Sequence, residues 1–183
     1  PCTATATRPA PSHLHTAGVP LHGSWGSRVD TVVRLLLALR ASAADLGDAA
    51  AAKVVIFSRH EPLLKLLATA CAMNGVRAAR FGLGGQQHNE LADFVSDKTI
   101  QALLLSAQRD ASGLTLTAAS HVIIVEPQPE VAIEQQMVGR VHRIGQTRQT
   151  HVHRLVVGGS FEADLAAERS VVLASPVAGK STE

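Results

Sequence analysis

The chain has 183 residues, long enough for one domain with a full-sized core. Its formal charge of +2 and its 3% aromatic content exclude a histone-like polycation and an aromatic stacking platform for single-stranded nucleic acid. The cysteines, Cys2 and Cys71, are too few for a disulfide framework or a Cys-rich zinc site and suit a reducing compartment, and no apolar stretch approaches the roughly 20 residues of a membrane span.

Residues 1–22 mix Pro, Ala, Thr and His without periodicity and read as a flexible lead-in. The chain opens on Pro1, and we read it as a piece of something longer. From Ser27 to Arg40, the spacing of Val29, Val32, Val33, Leu36 and Leu37 predicts an amphipathic helix. The alanine-rich stretch 41–52 is either a loop or a frayed helix end. Val54 to Phe57 is a continuous apolar run that predicts a strand covered on both faces. Pro62 to Met73, with Leu63, Leu66, Leu67 and Ala70, predicts a second helix. On its apolar face, Cys71 reads as a small core residue rather than a nucleophile. Ala78 to Phe81 is a short strand. Gly82-Leu83-Gly84-Gly85 lacks the lysine of a phosphate loop and reads as a turn. A helix follows from about Gln86 to Val95, carrying Leu91 and Phe94.

Leu103 to Leu105 and Val122 to Val125 are two further buried-strand runs. A helix is predicted from Glu130 to Arg143, closed by Gly145 as its C-cap. A strand near His151–Val157, a helix near Phe161–Arg169 and a flexible tail over 171–183 complete the chain. His151 and His153 share a strand face at the spacing of a metal pair. No third ligand is apparent in the sequence, which favours surface or packing roles. Strands alternating with helices predict an α/β fold: a doubly wound parallel sheet with ligands at the carboxyl ends of its strands.

Residues 134–147, EQQMVGRVHRIGQT, carry the chemistry. At about 100° per residue, Gln136, Arg140 and Arg143 fall in one stripe of a helix, beside an apolar stripe of Ile133, Met137 and Ile144. The guanidinium groups then stand at the rim of the buried face, where a neighbouring domain or ligand can meet them. The plainer reading is that cations in a last helical turn complement the helix dipole, an effect of roughly 0.3–1 kcal/mol.

The same segment resembles motif VI of the Swi/Snf-type ATPases of superfamily 2, with the spacing of Gln136, Arg140, Arg143, Gly145 and Gln146 kept. Lys53–Ser58 resembles the strand that opens the second, C-terminal RecA-like lobe of that family. Leu103–Ser106 with Gly113–Ala119 resembles motif V. His121–Pro127, GRVHRIGQT and Val152-His153-Arg154 are most similar to the SNF-histone-linker-PHD-RING helicase branch, whose members are ubiquitin ligases. The segment before the first long helix, Gly23–Asp30, resembles that branch too. The likeness spans roughly residues 23–165. It implies a single RecA-like lobe over 23–170, between the lead-in and the tail.

The resemblance also implies roles. Two lobes clamp ATP and magnesium, which are bound mainly by a first lobe absent from this chain. Arg140 and Arg143 would be arginine fingers, worth about 10³ to 10⁵ in rate, or roughly 4–7 kcal/mol of barrier. Gln136, Gly113 and Gly139 would lie at the nucleotide, while Ser58, Arg59, Ser106 and Thr115 would touch DNA phosphates without reading sequence. The implied partners are the N-terminal lobe, double-stranded DNA or a nucleosome, and a ubiquitin-conjugating enzyme reached through a RING outside this chain. The implied location is the nucleus. No metal-ligating residue in this chain and no membrane are expected.

The chain departs from the family pattern in places. Asp110-Ala111-Ser112 precedes Gly113 where relatives have glycines, and Thr115 stands where they often have asparagine. Gln128-Pro129-Glu130 replaces a tryptophan-asparagine-proline element, and Gln86–Asn89 lacks a usual arginine. These departures leave room for an alternative, a degenerate lobe that only binds DNA or protein. No phosphate loop or acidic magnesium pair follows the strands, so the lobe alone is expected to be inactive.

Overall fold

The structure is a computed structural model that describes residues 18–48, 52–82, 87–108 and 113–174. The elements are α1 (Ser27–Asp45), β1 (Val54–Ser58), α2 (Glu61–Met73), β2 (Arg77–Arg80), α3 (Gln87–Ser96), β3 (Ile100–Ser106), β4 (His121–Ile124), α4 (Val131–Val141), β5 (His151–Arg154) and α5 (Phe161–Ala174). The strands form one sheet in the order β2-β3-β1-β4-β5, and every neighbouring pair is parallel. The fold is the expected α/β lobe with its reversal of strand order at β1.

Alternation along the apolar runs builds two cores. Val54 and Ile56 of β1, Ala102 and Leu104 of β3 and Ile123 of β4 face α1 and α2, meeting Val32, Leu36, Leu64 and Leu67. Val55, Phe57, Leu103, Leu105, Val122 and Ile124 face the other way, onto Phe94 of α3 and Met137 and Val141 of α4. Because side chains alternate with a period of two, an uninterrupted apolar run supplies both layers at once. Each fully buried Leu or Ile contributes about 1.5–3 kcal/mol through area removed from water. Cys71 lies in the first core, where burial pushes its thiol up to about 12, so it packs as a small apolar group.

Two polar clamps fix the periphery. Arg28 donates from Nη2 to both carboxylate oxygens of Glu162 at 2.7 Å, and from Nη1 to the Val125 carbonyl at 2.7 Å, tying the starts of α1 and α5 to the carboxyl end of β4. Lys53, buried before β1, places its ammonium against the carbonyls that end α3, Phe94 and Asp97, and over the Phe94 ring. Burial pulls its pKa below the ordinary lysine range, an effect opposed by the nearby Asp97.

Several boundaries differ from the sequence expectations. The first helix continues through the alanine-rich stretch to Asp45. The helix expected over 130–143 ends at Val141, and His142 caps it with the backbone turned out of the helical region. Gly145 is therefore not a cap. It sits in the next turn at φ 100°, where the Gln146 N–H donates to the Arg143 carbonyl at 2.9 Å, a geometry suited to a glycine at the third position of a turn. Ile144, expected on the apolar stripe, stands at the tip of that turn and is 98% exposed. The last helix runs on to Ala174, into the expected tail. Most of the expected lead-in, the glycine pair Gly84-Gly85 and Asp110-Ala111-Ser112 lie outside the described residues.

Candidate functional site

The candidate residues fall into two groups. α4 follows β4 and returns antiparallel to it before the parallel β5 begins, so its C-terminus points toward the amino ends of the strands. Arg140, Arg143, Thr115 and Gly113 therefore belong to one region, while Ser58, Arg59 and Ser106 lie at the carboxyl ends of β1 and β3. The expectation of ligands at the carboxyl ends fits only the second group.

In the first region, the loop before β4 is stitched to the end of α4. The Leu116 N–H donates to the Arg140 carbonyl at 2.9 Å. Arg143, exposed, donates from Nη1 to the Thr115 hydroxyl at 3.2 Å. Arg140 is half-buried, and its Nε is shielded without a hydrogen-bond partner. Among the described residues no ion pair neutralises either guanidinium. Gln136 is exposed on α4, one turn earlier. A Cβ built at Gly139 would meet nothing within 4 Å, so nothing described in the lobe demands a glycine there. Gly113 has φ 84°.

Gln146 is a residue whose role sequence reasoning did not specify. Its Nε2 faces the carbonyls of Ala119 at 2.7 Å and of Thr117 and Val141 at 3.2 Å, and its Oε1 accepts the Arg148 N–H at 3.0 Å. Arg148 adds a 2.6 Å bond from Nη2 to the Ala118 carbonyl. One carboxamide thus holds the Thr115 loop against the end of α4. Its place after the glycine of the motif was visible in sequence; its bonds to Thr117 and Ala119, nearly thirty residues away, were not.

The second region is built around Glu126, which the sequence reading passed over. Ser58 is fully buried, and its hydroxyl donates to Glu126 Oε2 at 3.0 Å while accepting the His60 N–H at 3.1 Å. The Arg59 N–H donates to the other carboxylate oxygen, Oε1. The Arg59 side chain is half-buried with its Nε shielded and unpartnered, and it lines an open cleft of about 500 Å³ with His60, Pro127 and Phe161. Ser106 pairs with Ser58 across the β1–β3 register and is also buried. Neither serine hydroxyl is on the surface in this conformation. Arg59 and Thr115 are the accessible members of the proposed phosphate-binding set.

His151 and His153 acquire a third imidazole. His121 stacks on both, with ring centroids at 4.9 and 5.3 Å, and its Nδ1 lies 3.0 Å from His153 Nε2. Burial depresses His121 to about 3 and His153 to about 4, aided by the neighbouring imidazoles; burial also lowers His151. The trio is a neutral packed ladder, and among the described residues no group of three is arranged to hold a metal ion.

The comparisons with known proteins identify the lobe's family and its fold. The family described as the helicase conserved C-terminal domain matches residues 31–145. The chain is 35% identical over 149 residues to the human E3 ubiquitin-protein ligase SHPRH, covering 81% of this chain and 8% of that protein. It is 32% identical over 154 residues to the Arabidopsis thaliana DNA repair protein RAD5A, covering 81% of this chain and 14% of that one. The solved C-terminal part of the Fun30 ATPase domain shares the fold, with a TM-score of 0.69 at 24% identity over 80% of this chain and 47% of that one. The chain therefore spans a small part of the curated relatives it matches.

Proposed function

Because the chain belongs to the helicase conserved C-terminal domain family, as a Swi/Snf-type lobe, we propose that it is the second RecA-like lobe of a DNA-dependent ATPase that moves on duplex DNA. Its similarity to the E3 ubiquitin-protein ligase SHPRH and to the DNA repair protein RAD5A supports reading the whole enzyme as a DNA-repair ubiquitin ligase of the nucleus. A RING outside this chain would engage the ubiquitin-conjugating enzyme.

The observation that carries this reading is the pair of guanidinium groups at the end of α4, left without carboxylate partners among the described residues. A shielded, unpartnered Nε and an exposed neighbouring fork suit an anion with several oxygens, which planar guanidinium groups can meet in more than one place. Bound ATP with magnesium supplies the transferable phosphoryl group, and it is held mainly by an N-terminal lobe. The part of this chain is to place Arg140 and Arg143 where negative charge develops, with Gln136, Gly113 and Gly139 beside them.

The test is DNA-stimulated ATP hydrolysis by an enzyme in which this lobe is joined to its phosphate-loop lobe. Arg143→Ala is expected to lower turnover by about 10³-fold or more without shifting the melting temperature, since Arg143 is exposed and makes one 3.2 Å bond. Near-normal turnover in that variant would remove the finger assignment. A second reading, a lobe that only binds DNA, is favoured by Asp110, a carboxylate placed before Gly113 where the family has glycine. It predicts tight duplex binding by the wild-type enzyme with no ATP turnover, so one assay separates the two.

A further inference from the structure

The turn after β1 was expected to offer Ser58 and Arg59 together to DNA. The structure divides that pair. Ser58 is fully buried and its hydroxyl is engaged twice, as a donor to Glu126 Oε2 at 3.0 Å and as an acceptor of the His60 N–H at 3.1 Å. Arg59 has its backbone N–H on Glu126 Oε1, while its guanidinium finds no partner among the described residues and borders the open cleft.

Glu126 is itself 5% exposed, and both of its oxygens accept hydrogen bonds from this turn, one from a side chain and one from the backbone. Burying a carboxylate is costly unless its oxygens are satisfied. Here they are satisfied by the three-residue segment 58–60, directly or through Ser58. No cation pairs with Glu126 in an ion bridge among the described residues. The carboxylate therefore acts as an acceptor that fixes backbone geometry. Meanwhile Arg28, the other arginine of the cleft, is occupied by Glu162 and the Val125 carbonyl. Arg59 is left as the cleft's unpaired guanidinium.

We propose that Glu126 is a positioning residue: its buried carboxylate sets the turn after β1 so that the Arg59 guanidinium, rather than the Ser58 hydroxyl, is presented to a phosphate of duplex DNA. This rests on the reading of the lobe as DNA-binding. It goes beyond that reading by taking the Ser58 hydroxyl out of the contact and naming the residue that aims Arg59. A phosphate contact of this kind adds affinity without reading sequence and makes binding depend on salt.

The experiment uses this chain and a fluorescently labelled duplex of arbitrary sequence, with binding followed by anisotropy at two salt concentrations and folding checked by thermal melting. Arg59→Ala is expected to weaken binding about three- to tenfold and to reduce the salt slope by about one unit. Glu126→Ala should weaken binding to a similar extent, and the double variant should lose little more, because both changes disable one contact. Glu126→Gln should restore most of the affinity, since its carbonyl oxygen can still accept the Arg59 N–H and its amide can donate to Ser58. A purely electrostatic or merely structural role would not give that rescue together with a changed salt slope. If Glu126→Ala does not fold, Glu126→Asp, too short to reach both donors, takes its place with the same expectation.

Wild-type affinity and salt slope in a folded Glu126→Ala chain, or in Glu126→Asp where it takes that place, with Arg59→Ala still weakened, would overturn the role of Glu126 alone. Additive losses in the double variant would do the same. An Arg59→Ala chain that binds like wild type would overturn the proposal while leaving DNA binding intact elsewhere on the lobe. A wild-type chain that binds no duplex would overturn the DNA reading and the proposal together.

Discussion

The two polar regions of this lobe solve one problem with different chemistry. Each must hold a loop rigid and leave a guanidinium without a partner. At the carboxyl end of the sheet, the turn carrying Arg59 is held by a carboxylate, Glu126, buried and with both oxygens accepting hydrogen bonds. At the end of α4, the loop carrying Thr115 is held by a carboxamide, Gln146, whose Nε2 gathers three carbonyls. The difference follows from what needs satisfying. The β1 turn presents donors and calls for an acceptor, whereas the α4 region presents carbonyls and calls for a donor. A neutral donor also adds no negative charge beside Arg140 and Arg143, where a carboxylate would compete with any bound phosphate.

Exchanging the chemistries tests this directly. Gln146→Glu turns a carboxylate toward the carbonyls of Thr117, Ala119 and Val141, leaving acceptors facing acceptors. The expected cost is about 2–4 kcal/mol of folding stability. In the two-lobed enzyme, turnover should fall further than stability alone explains, because the new charge lies near the guanidinium pair. Denaturant melts alongside ATP hydrolysis check both halves. A Gln146→Glu chain as stable as wild type would mean that the donor is dispensable and that the comparison between the regions fails.

A substitution of similar thermodynamic weight away from both regions supplies the contrast. Lys53→Met removes the ammonium that ends α3 and leaves the Phe94 and Asp97 carbonyls without that donor. The expected loss is about 1–3 kcal/mol, softened by the methionine filling the apolar part of the site. Duplex affinity and its salt slope should not change, since Lys53 is buried against α3 rather than offered to phosphate. Loss of affinity in a folded Lys53→Met chain would show that general loosening, rather than the aim of particular guanidinium groups, governs binding.

How legible these regions were in the sequence depends on how local their causes are. The buried strands were readable because a run such as Val54–Phe57 needs no knowledge of its neighbours to declare both faces apolar. The end of α4 was not. Periodicity carried the helix to Arg143 because Ile144 fell in phase with the apolar stripe, yet the backbone leaves the helix at His142 and the turn needs Gly145 at positive φ. The motif gave the guanidinium pair but placed both on one helix, whereas Arg143 stands beyond it. Ser58 was misjudged for a different reason: the carboxylate that consumes its hydroxyl lies 68 residues later in the chain. His121 escaped notice likewise, since only the β4–β5 register sets it opposite His151.

That histidine ladder offers the smallest and most selective way to separate the two regions. His121, His151 and His153 lie on β4 and β5, and Arg148, which bonds the Ala118 carbonyl in the Thr115 loop, also disfavours charging His121. The folded pKa values of about 3 for His121 and about 4 for His153 lie below the ordinary value of 6.5. The unfolded chain therefore binds more protons between those limits. The contribution of the pair is fully present above the ordinary histidine range and is lost as pH falls through 6.5 toward the folded values. Between about pH 7 and about pH 5.5 the expected loss for the two together is about 2–3 kcal/mol. Burial is the main cause, and the 3.0 Å contact between His121 Nδ1 and His153 Nε2 adds to it, since it needs one donor and one acceptor and protonating both leaves two donors opposed. Amide hydrogen exchange across this pH interval, corrected for the intrinsic rate, should show Leu116 and His151 losing protection before Arg59, whose N–H is held by Glu126 at the other end of the sheet. Simultaneous loss at all three amides would mean that the lobe opens only as a whole and that the two regions share one stability. Earlier loss at Leu116 and His151, abolished by His153→Gln, would establish that the α4 region can be loosened while the β1 turn stays set.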